Sequence, residues 1–436
     1  MILKFDYRYT IGSLFVKLGY RTNYRKVVRT GLENIPENTA IIYAPNHRNA
    51  IIDGFNLVYI CQPQQIVFLA RADIFKNKLL KWFLSGVKVI PVYRIRDGKE
   101  NLGKNNEIFA TCATILEKNY PICLFPEAKH SPSQHLLPIQ KGIPRIALPT
   151  EAYTNFKLNI NIIPVSTYYT DIHGFLSDVY VNFGKPIKVV NYQSDYENNP
   201  NLAINNLRHD LDHQLRNQMV DISNEAYYHF YNYCIDLCGK KIAKKHFADK
   251  KDGLIQAYKA IVSKLDYLYA NDNPKFLEII DDFGRAFSIL SIHKLSTKDD
   301  VEHPQSAISL IIRSILLIIA FPVALAGLAN TIFPIAIYIF LRKKIKDEQF
   351  ISSIRTVMAI FIIPIFYLIQ FIVFGCISHN WLLALLYFVT TPFIFYFGCY
   401  WRKWVKSTFR AIKVRMFSKK HAEDWLFIKT LINFDI

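Results

Sequence analysis

The chain has 436 residues, of which 53 are Lys or Arg and 35 are Asp or Glu, so its formal net charge is +18. Hydrophobic residues make up 51% of the chain and aromatic residues 14%, and the mean hydropathy is +0.11. This composition excludes a disordered or fibrous protein, because such chains are poor in apolar residues. A chain that is both basic and apolar favours contact with an anionic membrane surface.

Residues 1–34 predict an N-terminal amphipathic segment that lies on a membrane surface. Lys and Arg interrupt its apolar residues, and it has neither a long apolar core nor a small-residue cleavage site. We therefore predict an interfacial helix rather than a cleaved signal peptide.

Residues 35–190 predict an α/β domain with a mainly parallel central sheet. Short runs rich in β-branched residues alternate with longer helical patterns, as in strands joined by crossover helices. The runs are AIIYA at 40–44, QIVFLA at 65–70, PICLF at 121–125, NIIPVS at 161–166 and DVYVNFG at 178–184. Polar and charged helical patterns follow over 191–305 and predict a helical region.

Residues 306–401 predict a membrane-embedded α-helical region. They contain two blocks without a formal charge, 314–341 and 356–401, whereas a spanning helix needs about 20 apolar residues. The second block is interrupted by the polar sequence Ser-His-Asn, so we predict spans at 356–377 and 381–401.

The first apolar block, 314–341, predicts either a single crossing or a re-entrant hairpin, and the hairpin is favoured. As one helix it would be about 42 Å long, against about 30 Å of hydrocarbon, while each half is too short to span comfortably. Four residues within it favour a bend, namely Pro322, Gly327, Asn330 and Pro334. A hairpin also keeps the basic residues at 342–346 on the same side of the membrane as the basic tail, 402–436.

The sequence APNHRNAIIDG at 44–54 carries a candidate acid–base pair. His47 is of the side-chain type that most often removes a proton near neutral pH, and a carboxylate can hold its tautomer. Asp53 is six positions further on. We therefore expect His47 in a loop after a strand and Asp53 at the start of the next helix. On this stretch alone, a structural His–Asp pair is the alternative interpretation.

Three further stretches carry candidate binding residues. Arg94 follows an apolar strand, where a guanidinium suits a phosphate, although a solvated arginine is the alternative. Glu127 lies at a strand end beside cations and could position a hydroxyl group. Lys141 precedes a helical pattern, whose N-terminus attracts anions. Pro164 lies in an apolar strand that, by itself, reads as core.

The order and spacing of these four stretches resemble the glycerolipid acyltransferase family, of the lysophosphatidate and glycerol-3-phosphate acyltransferase type. The family's Asn-His-x4-Asp block is similar to Asn46-His47 with Asp53, although five residues separate His47 from Asp53 here. The other blocks are matched by IPVYR at 90–94, FPE at 125–127 with Ser131, and IIPV at 162–165. The third block has Ala128 instead of the family's glycine and Lys129-His130 instead of its Thr-Arg.

The resemblance implies direct acyl transfer. His47 would take the proton from an acceptor hydroxyl group, which then attacks an acyl thioester, and Asp53 would orient His47. Arg94 would hold the acceptor phosphate, Glu127 would position its glycerol hydroxyl group, and Lys141 would add attraction for phosphate. No cofactor is expected beyond the donor substrate, acyl-CoA or acyl carrier protein. No metal is expected, and the seven cysteines, which lack metal-ligand spacing, predict reduced thiols.

The resemblance also implies the partners of the protein. These are an acyl thioester donor, membrane phospholipids, and an acceptor for which lysophosphatidate is favoured over glycerol-3-phosphate. The catalytic domain would face the cytoplasm, where acyl thioesters are found. A glycerol-3-phosphate acyltransferase and a catalytically inactive membrane scaffold are the alternatives. Nucleic acid is not expected, because the basic residues cluster beside hydrophobic spans at 342–346 and 402–415, as in membrane anchors.

Overall fold

The computed structural model describes residues 6–93, 104–297, 301–345, 347–348 and 350–433. The chain forms two compact units. The N-terminal unit contains Met1–Asp221 together with Lys346–Thr356, and the C-terminal unit contains Ile222–Ile345 and Val357–Ile436.

An eight-stranded sheet forms the centre of the N-terminal unit. The strands are β1 (Tyr24–Thr30), β2 (Ile41–Pro45), β3 (Val67–Arg71), β4 (Val89–Val92), β5 (Ile122–Cys123), β6 (Asn161–Tyr169), β7 (Ser177–Phe183) and β8 (Ile187–Lys188). Their order is β1-β7-β6-β2-β5-β3-β4, with β8 paired to β6. The pairs β6–β7 and β6–β8 are antiparallel, and the other pairs among the described strands are parallel. The predicted mainly parallel sheet is confirmed.

Helices cover both faces of this sheet. They are α1 (Tyr7–Asn23), α2 (Ala50–Ile60), α3 (Lys78–Gly86), α4 (Lys104–Glu117), α5 (Gly142–Tyr153), α6 (Gln193–Asn198) and α7 (Pro200–Gln218). Strand β2 shows why both faces are covered. Ile42 packs with residues of α4, α5 and α7, whereas Ile41 and Tyr43 pack with residues of α1 and α2. Successive strand side chains point to opposite faces, so a strand that is apolar throughout needs cover on both.

The N-terminal unit extends beyond the predicted domain limits of 35 and 190. Strand β1 pairs with β7, so part of the predicted membrane-surface segment belongs to the sheet. At the other end, α7 buries Leu207, Leu211 and Leu215 in the same hydrophobic cluster as the strands. These leucines repeat every four residues and form a narrow apolar stripe on a largely polar helix. From the sequence alone, a helix with so narrow a stripe is easily assigned to a separate helical region.

Helix α1 carries a second apolar stripe that is exposed. Its buried residues include Tyr9, Val16 and Tyr20. The exposed apolar residues are Tyr7, Ile11, Leu14 and Leu18. Their 4-3-4 spacing puts them on one face of the helix. An exposed apolar face of this kind is what a helix at a membrane surface requires.

The C-terminal unit is helical in its described residues. Its helices are α8 (Tyr228–His246), α9 (Gly253–Asn271), α10 (Asn273–Ile292), α11 (Ala307–Asn330), α12 (Ile332–Lys344), α14 (Ile363–Ser378), α15 (Trp381–Lys420) and α16 (Ala422–Leu431). Helix α13 (Phe350–Val357) continues through a π-helical turn into α14, and all but its last residue belong to the N-terminal unit. Among the described residues, three helices are long and apolar enough to cross a membrane: Ala307–Asn330, Phe350–Ser378 and Trp381–Lys420.

The first apolar block consists of α11 and α12, which meet at Thr331. The Thr331 hydroxyl group lies 3.0 Å from that of Tyr367 in α14, and α12 also contacts the π-helical turn Met358–Ile362. Helix α12 therefore lies along the beginning of the second span. Helix α11 begins at Ala307, before the block, and its 24 residues are enough to cross a membrane. Whether the block spans or re-enters stays a prediction.

The turn after β1 gives a test of the sheet's packing. Gly31 has φ +72°, and a Cβ atom there would lie 1.9 Å from the Phe183 carbonyl oxygen. We expect Gly31→Ala to destabilise the N-terminal unit by about 2 kcal/mol or more, because backbone strain and a steric clash add.

The measurement is the thermal midpoint of the purified protein in detergent, with Gly54→Ala as the matched control. A Cβ atom at Gly54 would meet the Phe68 ring at 3.5 Å, an ordinary contact on a helix. This control should keep or slightly raise the midpoint. Equal midpoints for the two variants would contradict the described turn.

Candidate active site

His47 and Asp53 lie together at the carboxyl end of the parallel strands. His47 is in the loop between β2 and α2, and Asp53 is in the first turn of α2. Nδ1 of His47 is 2.9 Å from Oδ2 of Asp53, and the side chains are 16% and 0% exposed. The extra residue between them therefore does not separate the pair. In open α/β sheets, sites form at this edge because the loops after several strands meet there.

Four donors hold the buried Asp53 carboxylate. Oδ2 accepts the backbone N–H groups of Arg48 and Asn49, each at 2.7 Å, in addition to the His47 contact. Oδ1 accepts the Tyr169 hydroxyl group at 2.6 Å. A buried carboxylate is costly unless hydrogen bonds replace its water. Because Asp53 occupies the Arg48 and Asn49 amides, an oxyanion of the reaction needs a different donor.

A buried polar chain extends behind Asp53. The Tyr169 hydroxyl group accepts the Asn56 amide at 2.7 Å, and the Asn56 carbonyl oxygen accepts the Tyr20 hydroxyl group at 2.6 Å. The sequence patterns did not reveal Tyr20, Asn56 or Tyr169 as site residues, and they predicted that the strand carrying Tyr169 belongs to the core. The available signal was the tyrosine at the carboxyl end of that strand, two residues beyond Thr167.

The loop after β5 fixes the backbone of His47. Oε1 of Glu127 accepts the His47 N–H at 2.6 Å, and the Ser131 N–H donates to the His47 carbonyl oxygen at 3.0 Å. The Phe125 ring stacks on the imidazole with 4.0 Å between centroids. Three positions of the family's third block therefore support His47 directly.

Glu127 also holds its own loop, because Oε2 accepts the Leu137 N–H at 3.0 Å. Burial raises the pKa of Glu127 to about 7, although both backbone hydrogen bonds act in the opposite direction. Both carboxylate oxygens are thus engaged. A substrate hydroxyl group would have to share one of them, and the predicted role of Glu127 toward the acceptor stays a prediction.

Ala128 occupies a backbone position that suits glycine. Its φ is +54°, in the left-handed region where a Cβ atom is strained. The glycine of the family pattern thus corresponds to a conformation that this chain adopts with alanine. Alanine adopts this conformation at some cost in stability.

Of the two cationic residues predicted to bind phosphate, the structure describes only Lys141. Lys141 is half-buried at the N-cap of α5, on the loop that also carries Glu127. Arg94 lies outside the described residues. The described strand β4 ends at Val92, two residues before it. Their roles in phosphate binding stay predictions.

Metal-binding chemistry is offered by one group in the described part of the C-terminal unit. The ligand atoms of His293, His421 and Asp424 lie within 4.8 Å of one another, and two imidazoles with a carboxylate suit zinc. Lys419 and Lys420 precede His421, and their charge opposes cation binding. We assign this group no role in the chemistry at His47. The seven cysteines, all of which lie among the described residues, form no disulfide with one another.

Comparison with known proteins gives a family match within the N-terminal unit. Residues 26–168 match the sequence model of the family described as Acyltransferase. A search of curated proteins gives no match. Among solved structures, the chain is similar to the 1-acyl-sn-glycerophosphate (LPA) acyltransferase PlsC from Thermotoga maritima, with 20% identity and a TM-score of 0.34, over 49% of this chain and 82% of that chain. A similarity at this level decides nothing about substrate.

The raised pKa of Glu127 predicts a pH dependence of stability. The folded state holds a proton on Glu127 up to about pH 7, whereas the unfolded state releases it near pH 4.3. Stability from this group is therefore complete below pH 4 and falls as the pH rises through 7, by up to about 3 kcal/mol.

Glu127→Gln removes this titration, so the fall in thermal midpoint between pH 5 and pH 8 should be smaller in the variant than in the wild type. The comparison uses the difference between the two profiles, since other groups titrate equally in both. Parallel profiles would show that Glu127 does not titrate in this range.

Proposed function

We propose that the chain, whose residues 26–168 match the acyltransferase family, is a membrane-bound enzyme of phospholipid synthesis. It moves a fatty acyl group from acyl-CoA or acyl carrier protein to a hydroxyl group of a glycerol phosphate. The observation that carries this proposal is the 2.9 Å contact between His47 Nδ1 and Asp53 Oδ2, with His47 at the carboxyl end of β2. Because Asp53 contacts Nδ1, it does not occupy Nε2, the other imidazole nitrogen of His47.

The proposed reaction begins with a proton transfer. Asp53 fixes the tautomer of His47 that carries a proton on Nδ1, so Nε2 accepts the proton of the acceptor hydroxyl group. The hydroxyl oxygen forms a bond to the acyl carbon, and the bond from that carbon to sulfur breaks. His47 then returns the proton to the leaving thiolate. The Phe125 ring stacks on the imidazole, while the Glu127 carboxylate and the Ser131 N–H hold the backbone of His47. These contacts keep the imidazole in place for both transfers.

Lysophosphatidate is the favoured acceptor, and glycerol-3-phosphate is the second candidate. Both carry a phosphate for Arg94, with Lys141 adding attraction, and lysophosphatidate acceptors are the commoner type in the family that the motifs resemble. The exposed apolar stripe of α1 and the three long apolar helices favour an acceptor that resides in the membrane. The catalytic residues would face the cytoplasm, where thioester donors are found.

A catalytically inactive scaffold is the alternative from another class. It would keep the fold and the apolar helices but not turn over thioesters. The deciding assay measures thiol release by the purified protein in detergent, with lysophosphatidate, glycerol-3-phosphate and other lysolipids offered in parallel. Release with none of these acceptors favours the scaffold.

His47→Ala should reduce acyl transfer to below about 1% of wild type, because a positioned general base contributes roughly 10²–10⁴-fold. Expression and membrane association should remain unchanged. Asp53→Asn should also reduce acyl transfer strongly, since it removes the carboxylate that fixes the imidazole. The control is His209→Ala, whose side chain is 79% exposed. Activity of His47→Ala within a few-fold of wild type would remove His47 from the mechanism.

Arg94→Ala should mainly raise the apparent KM for the phosphate-bearing acceptor, with a smaller effect on the KM for the thioester donor. The reason is that a guanidinium pairs with phosphate through charge-assisted hydrogen bonds. Steady-state kinetics with each substrate varied in turn measures both constants. If the donor KM rises instead, Arg94 belongs to the carrier site and its assignment to the acceptor is wrong.

A further inference from the structure

A segment from far along the chain is built into the N-terminal unit. Lys346–Thr356 belongs to this unit although the residues on both sides of it belong to the other. Within it, Ser352, Ser353 and Thr356 are buried, with exposures of 0%, 2% and 1%. Buried polar side chains usually have hydrogen-bond partners, and two of these three, Ser352 and Thr356, are bonded to residues outside the segment. We refer to the described residues of 347–356 as the docking segment.

The docking segment donates hydrogen bonds to the loop that follows β6. The Ser352 hydroxyl group donates to the Ile172 carbonyl oxygen. The Arg355 guanidinium donates to the carbonyl oxygens of His173 and Gly174. Three consecutive carbonyl groups of one loop are therefore held by two side chains of the segment.

The last residue of helix α1, Asn23, takes part in the same contact. Nε of Arg355 donates to Oδ1 of Asn23 at 3.2 Å, and the Asn23 amide donates to the Thr356 hydroxyl group. The Asn23 carbonyl oxygen also accepts the Leu176 N–H at 2.8 Å. The loop, the end of α1 and the docking segment thus form one hydrogen-bonded group.

This loop is directly linked to the carboxylate that orients His47. The Ile172 carbonyl oxygen, which accepts from Ser352, also accepts the Asn49 side-chain amide at 3.4 Å. The backbone N–H of Asn49 donates to Asp53. Tyr169, which donates to the other oxygen of Asp53, lies three residues before Ile172. Two of the four donors to Asp53 therefore adjoin the loop that the docking segment holds.

A second contact reaches His47 through His130. Nε2 of His130 lies 3.2 Å from Oδ2 of Asp347, and the Phe350 ring meets the His130 ring edge-on at 5.4 Å. On its other side the His130 ring meets the His47 ring at 5.3 Å. His130 belongs to the same loop as Glu127, which fixes the His47 backbone.

We propose that the docking segment is a positioning element of the active site, acting through the loop after β6 and through His130. Ser352 and Arg355 hold the loop that adjoins the donors of Asp53, and Asp347 orients His130 beside His47. None of these three residues needs to touch the substrate. The catalytic consequence rests on the proposed function, whereas the hold on the loop does not.

Adjacent serines provide a matched test. Ser352→Ala removes the donor to Ile172, while Ser353→Ala removes a buried hydroxyl group for which the described residues offer no hydrogen-bond partner. Amide hydrogen exchange of the full-length protein in detergent is followed in peptides that cover residues 170–176. We expect Ser352→Ala to speed exchange there about three- to tenfold, the equivalent of one hydrogen bond, and Ser353→Ala to leave it unchanged. Equal exchange in the two variants would overturn the proposal.

The catalytic consequence is measured on the same two variants. Ser352→Ala should lower kcat about three- to tenfold and leave the acceptor KM within twofold, because positioning affects the reacting geometry more than binding. Faster exchange with an unchanged kcat would make the contact merely structural and would also overturn the proposal. If the wild type transfers no acyl group, the proposed function fails, and the modification rate of His47 by diethyl pyrocarbonate takes the place of kcat. A rate equal in both variants would then reject positioning.

A charge-matched pair tests the second contact. Asp347→Asn weakens the partner of His130, whereas Glu348→Gln removes the same charge from the exposed neighbouring residue. Modification of His130 by diethyl pyrocarbonate, measured by peptide mass spectrometry, should be at least threefold faster in Asp347→Asn than in Glu348→Gln. The exposed His209 should react equally in both and serves as the internal reference. Equal rates at His130 would remove Asp347 from the positioning element.

Discussion

The buried carboxylate of Asp53 is the constraint on which the rest of the site depends. A buried charge is tolerated only when hydrogen bonds replace its hydration, and Asp53 obtains four of them. Their donors come from the β2–α2 loop and from the end of β6. Meeting this requirement fixes both backbone segments relative to α2. A fifth residue between His47 and Asp53 is compatible with this arrangement, because the loop only has to bring the backbone N–H groups of Arg48 and Asn49 to Oδ2 of Asp53.

The loop after β5 supplies the second half of the arrangement. Glu127 and Ser131 hold the backbone of His47 on both sides, while Phe125 covers one face of its ring. An imidazole held in this way loses little conformational entropy when it moves a proton, and this is how preorganisation aids catalysis. The conformation costs something locally, since Ala128 adopts a positive φ that glycine would adopt without strain.

The sequence predicted those parts of the molecule that local pattern controls. Apolar runs identified the parallel strands, and the spacing of His47 and Asp53 placed one in a loop and the other in a helix. Tyr20, Asn56 and Tyr169 could not be found in this way, because their hydrogen bonds join positions up to 116 residues apart and depend on packing alone. The N-terminal unit reaches beyond residues 35 and 190 for a similar reason. Strand β1 and helix α7 are weakly apolar, so only their contacts with the sheet and the core show that they belong to the N-terminal unit.

The helix from Phe350 to Ser378 shows how one element can satisfy two environments. Its first turns carry Ser352 and Thr356, which are buried and hydrogen-bonded within the N-terminal unit, the buried Ser353, and Arg355, which is hydrogen-bonded there. After the π-helical turn, its apolar side chains are exposed, including Ile365, Leu368, Ile369 and Ile372. Polar groups in hydrocarbon are costly, and apolar groups in water are equally unfavourable. The change in composition at the π-helical turn therefore divides the helix into a part that packs against protein and a part suited to lipid. The polar interruption between the two apolar blocks of the sequence is thus a docking sequence rather than a simple linker.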